Sequence, residues 1–261
     1  CPECAVSQSL SPRSIQVHLL VGNTRRGLHT YLYCHSDSWC KGTTFGQLRV
    51  VWQHVFGLVS VQLPPQGLSV APDKGVSLIE RPIGRDAFIF IVNNNNPITN
   101  LTISQIQDIY TGKTRNWKDV GVTDATINPY IRNANSGSQE KMETMVMKGL
   151  KMIDWPEMIT RGMSGPFLSL RFDNNGIAYT PYFYYSVMVR DYQASVKSIS
   201  VNGIEPNKTT ISNNTYPYVS EIYAAVRSDI DKTSTAYRLF EYLTTTSGQK
   251  VVKESGYVPV R

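Results

Sequence analysis

Residues 76–112, VSLIERPIGRDAFIFIVNNNNPITNLTISQIQDIYTG, contain the pattern that decides the fold class. The segments 76–80 and 87–92 predict strands, and the second is apolar on both faces, as in a buried strand. Thr102 and Gln105 then have the spacing of a capping box at the start of a predicted helix. The apolar period therefore changes from that of a strand to that of a helix within this one stretch.

The same alternation continues to the end of the chain. Gly112 ends the first helix, a second capping box joins Ser136 to Gln139, and a helix capped at Thr246 ends at Gly256. The apolar faces expected for the second and third helices are Met142, Met145, Val146 and Leu150, and Ala236, Leu239, Phe240 and Leu243. Strands that alternate with helices predict an α/β protein.

Composition excludes several classes of protein. The 261 residues are 41% hydrophobic and 18% charged, which is typical of a globular chain with a real core. The longest apolar runs are far shorter than the roughly 18 residues that a membrane-spanning helix requires. The net charge of +6 is scattered, without a block of basic residues, so the sequence predicts no nucleic-acid partner.

The N-terminal part differs sharply from the rest in composition. All four cysteines and all four histidines precede residue 55, and residues 1–79 contain only three of the twenty acidic residues. A zinc site can be drawn from the pair Cys1 and Cys4 with Cys34, His35 and Cys40. The later cysteines do not repeat the close spacing of the first pair, so we expect no metal.

Cys1 has a separate interpretation. Mature bacterial lipoproteins begin with the cysteine that carries the lipid, after removal of the signal peptide. A lipid anchor on Cys1 is therefore an expectation for this chain, and it implies a location outside the cytoplasm.

The segment 131–139, IRNANSGSQ, contains the most informative cluster of polar residues. A predicted strand ends at Arg132, and Ser136, Gly137 and Ser138 follow at the start of a helix. The first N–H groups of a helix attract anions, and glycine lets the backbone approach a ligand closely. The arginine and the two hydroxyls add donors for a tetrahedral oxyanion. The alternative is a helix cap beside a surface ion pair.

A series of motifs then supports a family. In chain order they are PIGRDAF at 82–88, NPITNLT at 96–102, QI at 105–106, IYTGK at 109–113, NW at 116–117, NGIAY at 175–179, SVNGIEP at 200–206, YP at 216–217 and SGYVP at 255–259. Together they resemble the phosphate-binding proteins of ABC phosphate importers, in the type 2 periplasmic binding protein superfamily. The resemblance covers about residues 70–261.

This resemblance implies a fold and a function. The fold would have two α/β lobes, residues 1–91 with 218–261 and residues 92–217, and a ligand cleft between them. The chain would be a monomer without cofactor or catalytic activity, which captures inorganic phosphate outside the cytoplasm and delivers it to the membrane permease of an ABC importer. Arg132, Ser136, Gly137 and Ser138 match the family's phosphate-contacting segment.

Two other functions remain open. An enzyme on the same fold would need an acid–base pair in the cleft, but His35 and His54 have no nucleophile in a recognisable motif. A sensor or adhesion module could keep the fold and bind another oxyanion or no ligand. A tyrosine cluster could stack on such a ligand or pack in the core or hinge; its members are Tyr179, Tyr182, Tyr184 and Tyr185.

Residues 1–70 depart from the family. Its phosphate-binding proteins open with an Asp-Gly-Ser/Thr loop, then supply a second hydroxyl and an aspartate that accepts the phosphate proton. None of these can be placed here, although Thr43 and Thr44 could donate hydroxyls. A shifted reading frame across the first 65–70 codons would explain the unusual composition, the lost periodicity and the missing loops together. An inserted or diverged lobe is the alternative; it would explain the lost motifs but not the sharpness of the break. The shifted frame predicts that a one-base shift of the coding DNA restores the Asp-Gly-Ser/Thr loop.

Overall fold

The structure is a computed structural model that describes residues 77–134, 136–188 and 194–261, together with the backbone of three earlier strands. Those strands are β1 (Gln16–Thr24), β2 (Gly27–His35) and β3 (Phe56–Val59). Several of the sequence-based expectations lie outside the described residues. They concern the lipid anchor on Cys1, the cysteine and histidine side chains, Thr43 and Thr44, and the aspartate that the family uses to accept the phosphate proton. The proposed frame shift therefore stays a prediction.

A six-stranded sheet organises the described part of the chain. Its order is β3-β12-β4-β9-β6, with β10 also paired to β4. Three two-stranded pairs stand beside it: β1 with β2, β5 with β11, and β7 with β8. The strands after β3 are β4 (Leu78–Asn93), β5 (Asn100–Leu101), β6 (Asn128–Pro129), β7 (Ile131–Arg132), β8 (Ile159–Thr160), β9 (Gly176–Pro181), β10 (Val196–Ser198), β11 (Ser200–Val201) and β12 (Val219–Arg227).

The two strands expected at 76–80 and 87–92 are one continuous strand of 16 residues, β4. Pro82 lies within it, although proline lacks the N–H that a strand ladder uses. The register of β4 against β12 shifts between Ile222 and Tyr223, so one extra residue of β4 is accommodated beside Pro82. Proline is tolerated at such a bulge, and the strand therefore does not end there.

Six α-helices are described. The first confirms its capping box, because Thr102 accepts from Gln105 N–H while the Gln105 side chain accepts from Thr102 N–H. Gly112 and Gly256 follow the ends of two helices with positive φ, as expected. The last helix begins at Thr246, the residue predicted as its cap, and Thr245 is the capping residue instead. The helices are α1 (Ile103–Tyr110), α2 (Gly137–Lys141), α3 (Gly165–Leu170), α4 (Lys208–Ser212), α5 (Thr235–Leu243) and α6 (Thr246–Ser255).

Helix α2 differs from its prediction in two ways. Ser136 caps it by accepting from Ser138 N–H at 3.3 Å, but Gln139 does not complete the capping box. The helix continues as a π-helix over Met142–Met147 and ends there, with Lys148 in the left-handed region. Leu150, predicted on the apolar face, is consequently 45% exposed, and Met147 is buried instead.

The buried apolar residues form two clusters, and β4 contributes to both. The larger cluster contains Phe88 to Val92 of β4 together with residues of α1, of the π-helix Met142–Met147 and of β9. The smaller cluster joins Ile83 to β12 and to Phe240 of α5. The partner of β4 changes at the same point, because 78–87 pair with β12 and 88–92 pair with β9. The chain thus passes from one packed body to the other along a single strand.

Candidate functional site

Arg132 lies at the end of β7, where it faces Thr160 of β8 in a parallel pair. The Thr160 hydroxyl donates to the Ile131 carbonyl at 3.1 Å, which adds a side-chain bond to this short ladder. Arg132 is only 6% exposed. The prediction of a strand that ends at Arg132 is therefore confirmed.

The backbone of Arg132 is held by two side chains. Its N–H donates to the Tyr179 hydroxyl at 3.0 Å and to Gln139 Oε1 at 3.2 Å. The Tyr179 hydroxyl in turn donates to the same Gln139 oxygen. Gln139 Nε2 donates to Glu143 at 2.8 Å, which fixes the orientation of the amide. This network joins β7, β9 and α2 in one place.

The network explains why the predicted capping box is incomplete. Gln139 was expected to reach back to the N–H of Ser136, which is a local contact. That backbone N–H instead donates to the Asn133 carbonyl at 2.9 Å, and the glutamine oxygen accepts from Arg132 and Tyr179. The sequence analysis assigned Gln139 to the helix cap only and gave it no part in the site.

The guanidinium of Arg132 is the strongest sign of an anion site. Its Nε is buried and has no hydrogen-bond partner, while Nη1 contacts the Met163 sulfur at 3.7 Å. Burial lowers the pKa of Arg132, opposed by Tyr179 and Tyr184. A buried cation with an unpaired donor is costly, and an oxyanion would satisfy it.

The predicted hydroxyl residues lie at the start of α2. Ser136 and Ser138 are buried and Gly137 is half-buried, and α2 packs against β7. The structure therefore brings the first turn of this helix to the strand that carries Arg132. The N–H groups of the first turn, two hydroxyls and a guanidinium together are donors suited to an anion.

A second polar cluster was missed by sequence reasoning. Lys141, at the end of α2, donates from Nζ to the Ser220 hydroxyl of β12 at 2.9 Å. Ser220 is paired with Asp86 in the β4–β12 register, and Asp86 Oδ1 accepts from Ala87 N–H and Phe183 N–H at 2.8 and 2.9 Å. The three side chains come from distant segments, so no local pattern indicated them.

Burial shifts the pKa of both charged groups in this cluster. Desolvation lowers the pKa of Lys141, and the charges of Asp86 and Glu140 oppose the change. Desolvation raises the pKa of Asp86, opposed by Lys141 and by the two N–H groups that its carboxylate accepts. Asp86 itself is buried in the middle of β4.

The tyrosine cluster belongs to the packing of the larger apolar cluster. Tyr179 is fully buried, and its ring contacts those of Phe88 and Tyr110. Tyr184 and Tyr185 are partly buried beside Phe167. The alternative of core packing is confirmed for Tyr179, while its hydroxyl also serves Arg132.

Two negative findings apply only to the residues that the structure describes. Within them, no three histidine, cysteine or acidic side chains are grouped as a metal site would require. None of the helices in the same part of the chain combines the length and apolarity needed to cross a bilayer.

Comparison with known families identifies the fold. The sequence model of the PBP superfamily domain matches residues 54–244, which is well over half of the chain. The chain belongs to the PBP superfamily. The match begins at residue 54 and includes β3, so residues 54–70, which were expected to depart from the family, match it. The superfamily inferred from the motifs quoted above is confirmed.

Relatives within the PBP superfamily are phosphate-binding proteins. The phosphate-binding protein PstS of Staphylococcus epidermidis is 29% identical over 196 residues, which cover 71% of this chain and 58% of that protein. The PstS of Borreliella burgdorferi is 26% identical over 194 residues, covering 67% and 64% respectively. The chain thus spans about three fifths of the length of these relatives.

Solved structures agree with this assignment. A protein described as a phosphate ABC transporter substrate-binding protein from Clostridium perfringens, solved with bound phosphate, has a TM-score of 0.64 and 26% identity over 79% of both chains. A phosphate transport receptor from Vibrio cholerae shares the fold, with a TM-score of 0.61 and 24% identity over 78% of this chain. The predicted α/β fold of type 2 periplasmic binding proteins is confirmed.

Proposed function

We propose that this chain captures inorganic phosphate outside the cytoplasm and delivers it to the membrane permease of an ABC importer. The named relatives support the ligand class and the transport role. A lipid on Cys1 and a monomeric state remain part of this proposal. We assign no catalytic activity, because the named relatives are binding proteins for phosphate.

One observation carries the proposal. The Arg132 guanidinium is buried with its Nε unpaired, beside a helix that begins with Ser136, Gly137 and Ser138. Each charge-assisted bond from such a group to an anion contributes roughly 1.5–3 kcal/mol. We therefore propose Arg132, Ser136, Gly137 and Ser138 as the phosphate-binding residues.

We also propose that the ligand binds between two lobes. The change of β4 partner after Ala87 and the two apolar clusters support a division of the chain into residues up to 87 with 219–261, and residues 88–218. The expected boundary at residue 91 falls inside the part of β4 that pairs with β9. Arg132 and α2 then belong to the middle lobe.

Isothermal titration calorimetry with inorganic phosphate tests this function. Arg132→Ala should weaken phosphate binding by at least about tenfold, which corresponds to about 1.4 kcal/mol. Arg161→Ala is the matched control, because Arg161 is exposed and follows β8 directly. We expect that variant to bind phosphate as the wild type does.

The titration also separates the alternatives. Absence of phosphate binding in the wild-type chain, with heat released by another oxyanion such as sulfate, would favour a sensor for that oxyanion. Phosphate affinity that Arg132→Ala leaves unchanged would remove this site from the proposal. A phosphatase assay on the same preparation tests the enzymatic alternative.

A further inference from the structure

Lys141 is an unusual residue for its position. It is 7% exposed, at the end of α2, next to a π-helix whose buried residues are apolar. Removing an ammonium from water costs several kcal/mol unless the group is paired, and a methionine would fill the same space without that cost. Packing alone therefore does not explain why a lysine occupies this position.

The contact of Lys141 lies where the chain changes from one apolar cluster to the other. Ser220 follows Val219, which packs against the larger cluster, and precedes Ile222 of the smaller one. Directly opposite residues of an antiparallel pair place their side chains on the same face of the sheet, so Ser220 and Asp86 are neighbours. Lys141 thus connects α2 to β4 and β12, the two strands that cross from one apolar cluster to the other.

Asp86 extends this connection to a fourth segment. Its carboxylate accepts the Phe183 N–H, which belongs to the helical segment that follows β9. Strand β9 also carries Tyr179, the residue that holds the backbone of Arg132. Both ends of the anion site, the helix and the arginine, are therefore tied to segments that meet at Asp86.

We propose that Lys141 is a positioning residue, which sets the orientation of α2 relative to the crossing strands β4 and β12 through Ser220 and Asp86. The proposal rests on the phosphate-binding function above and adds a determinant of affinity at a distance from the ligand. Lys141 acts through the helix that carries Ser136 and Ser138. A directional hydrogen bond fixes the rotation of a short helix, whereas an apolar side chain at the same position would not.

Calorimetry with inorganic phosphate tests this role on five variants. We expect Lys141→Met and Ser220→Ala each to weaken phosphate binding about five- to fiftyfold, and the double variant to be no weaker than the worse single one. Ser220→Thr keeps the hydroxyl and should bind as the wild type does. Lys118→Met, at an exposed lysine paired with Asp124, is the matched control for loss of a lysine charge.

Thermal unfolding without phosphate distinguishes positioning from general stability. A purely structural role would lower the unfolding temperature of Lys141→Met and Ser220→Ala while leaving the phosphate affinity of the folded protein within twofold of wild type. That result would overturn the inference. Additive losses in the double variant would also contradict it, because the two residues would then act independently.

Hydrogen exchange in the ligand-free protein separates this inference from the function itself. Lys141→Met should accelerate exchange of the Ala87 and Phe183 amides, which donate to Asp86, and Lys118→Met should not. Unchanged exchange at these amides would contradict the role of Lys141 whether or not the wild type binds phosphate. A wild type that binds no phosphate, with accelerated exchange in Lys141→Met, would refute the function alone.

Discussion

The Arg132 side chain is suited to bind an anion because the backbone of Arg132 is fixed. Ordering a residue on ligand binding costs conformational entropy of its backbone and of its side chain, and a backbone that is already fixed removes the backbone part of that cost. Here the N–H of Arg132 is shared between the hydroxyl of Tyr179 and the amide oxygen of Gln139. The two residues support the site without being proposed as ligands.

Ser138 should contribute less to phosphate affinity than Arg132. The hydroxyl of Ser138 is neutral, and backbone N–H donors remain after its removal, so we expect Ser138→Ala to weaken phosphate binding about three- to tenfold. Thr144→Ala removes an exposed hydroxyl from the same helical segment and should leave affinity unchanged. Calorimetry that ranks Ser138→Ala above Arg132→Ala in its effect would contradict the proposed distribution of binding energy.

Lys141 should give folding stability a measurable dependence on pH. Burial lowers its pKa below the ordinary 10.5, so in the range between the two values the unfolded chain binds more protons than the folded chain. The free energy of unfolding of the wild type should therefore rise with pH, relative to that of Lys141→Met, until 10.5 is reached. Urea denaturation of both proteins from neutral pH to 10.5 measures this difference, and a constant difference would refute the expectation.

At the scale of elements, α6 depends on a single small residue. A Cβ added at Gly248 would overlap the carbonyl oxygen of Tyr242 and lie 2.7 Å from the Cα of Leu243. Both are backbone atoms that cannot rotate away. The close approach lets α6 follow α5 after a short connection.

Gly248→Ala should therefore destabilise the fold. Forcing backbone apart in a packed region costs about 1–3 kcal/mol, so we expect a loss of that size in the free energy of unfolding. Ser247→Ala changes an exposed neighbour in the same turn and should remain within about 0.5 kcal/mol of wild type. Chemical denaturation measures both, and equal stability of the two variants would argue against this packing.

Elements set by local spacing could be predicted from the sequence, and those that depend on distant partners could not. The capping box of Thr102 and Gln105 involves neighbours three residues apart, and it forms as predicted. Gln139 has the same spacing from Ser136, but its side-chain oxygen accepts instead from the N–H of Arg132 and the hydroxyl of Tyr179. Lys141 and Ser220 are 79 residues apart in the chain, so no periodicity indicated their contact.

The site was predictable to the extent that it lies in one segment. Arg132, Ser136, Gly137 and Ser138 fall within seven residues, and their types and order already indicated an anion. Leu150 was assigned to the apolar face by a period of 3.6, which the π-helix over Met142–Met147 does not follow. The change of helix type therefore altered which residues are buried.

For the whole molecule we expect closure on phosphate. A ligand that binds between two lobes favours the closed arrangement by its differential affinity for that state. The radius of gyration from small-angle X-ray scattering should therefore fall when phosphate is added to saturation. Arg132→Ala, at the same phosphate concentration, should show less compaction, and an unchanged radius for the phosphate-saturated wild type would contradict hinge closure.

The antiparallel pairing of β4 with β12 also bears on how such proteins diversify. Ala87 stands opposite Val219, so the chain enters and leaves the segment 88–218 at points roughly 5 Å apart. A domain inserted into another domain, its host, has its two ends close together. Because of this spacing, a host fold tolerates the transfer of such a segment from one protein to another. The segment carries Arg132 and the start of α2 with it. A change of specificity could then spread by exchange of this insert, while the host lobe stays the same.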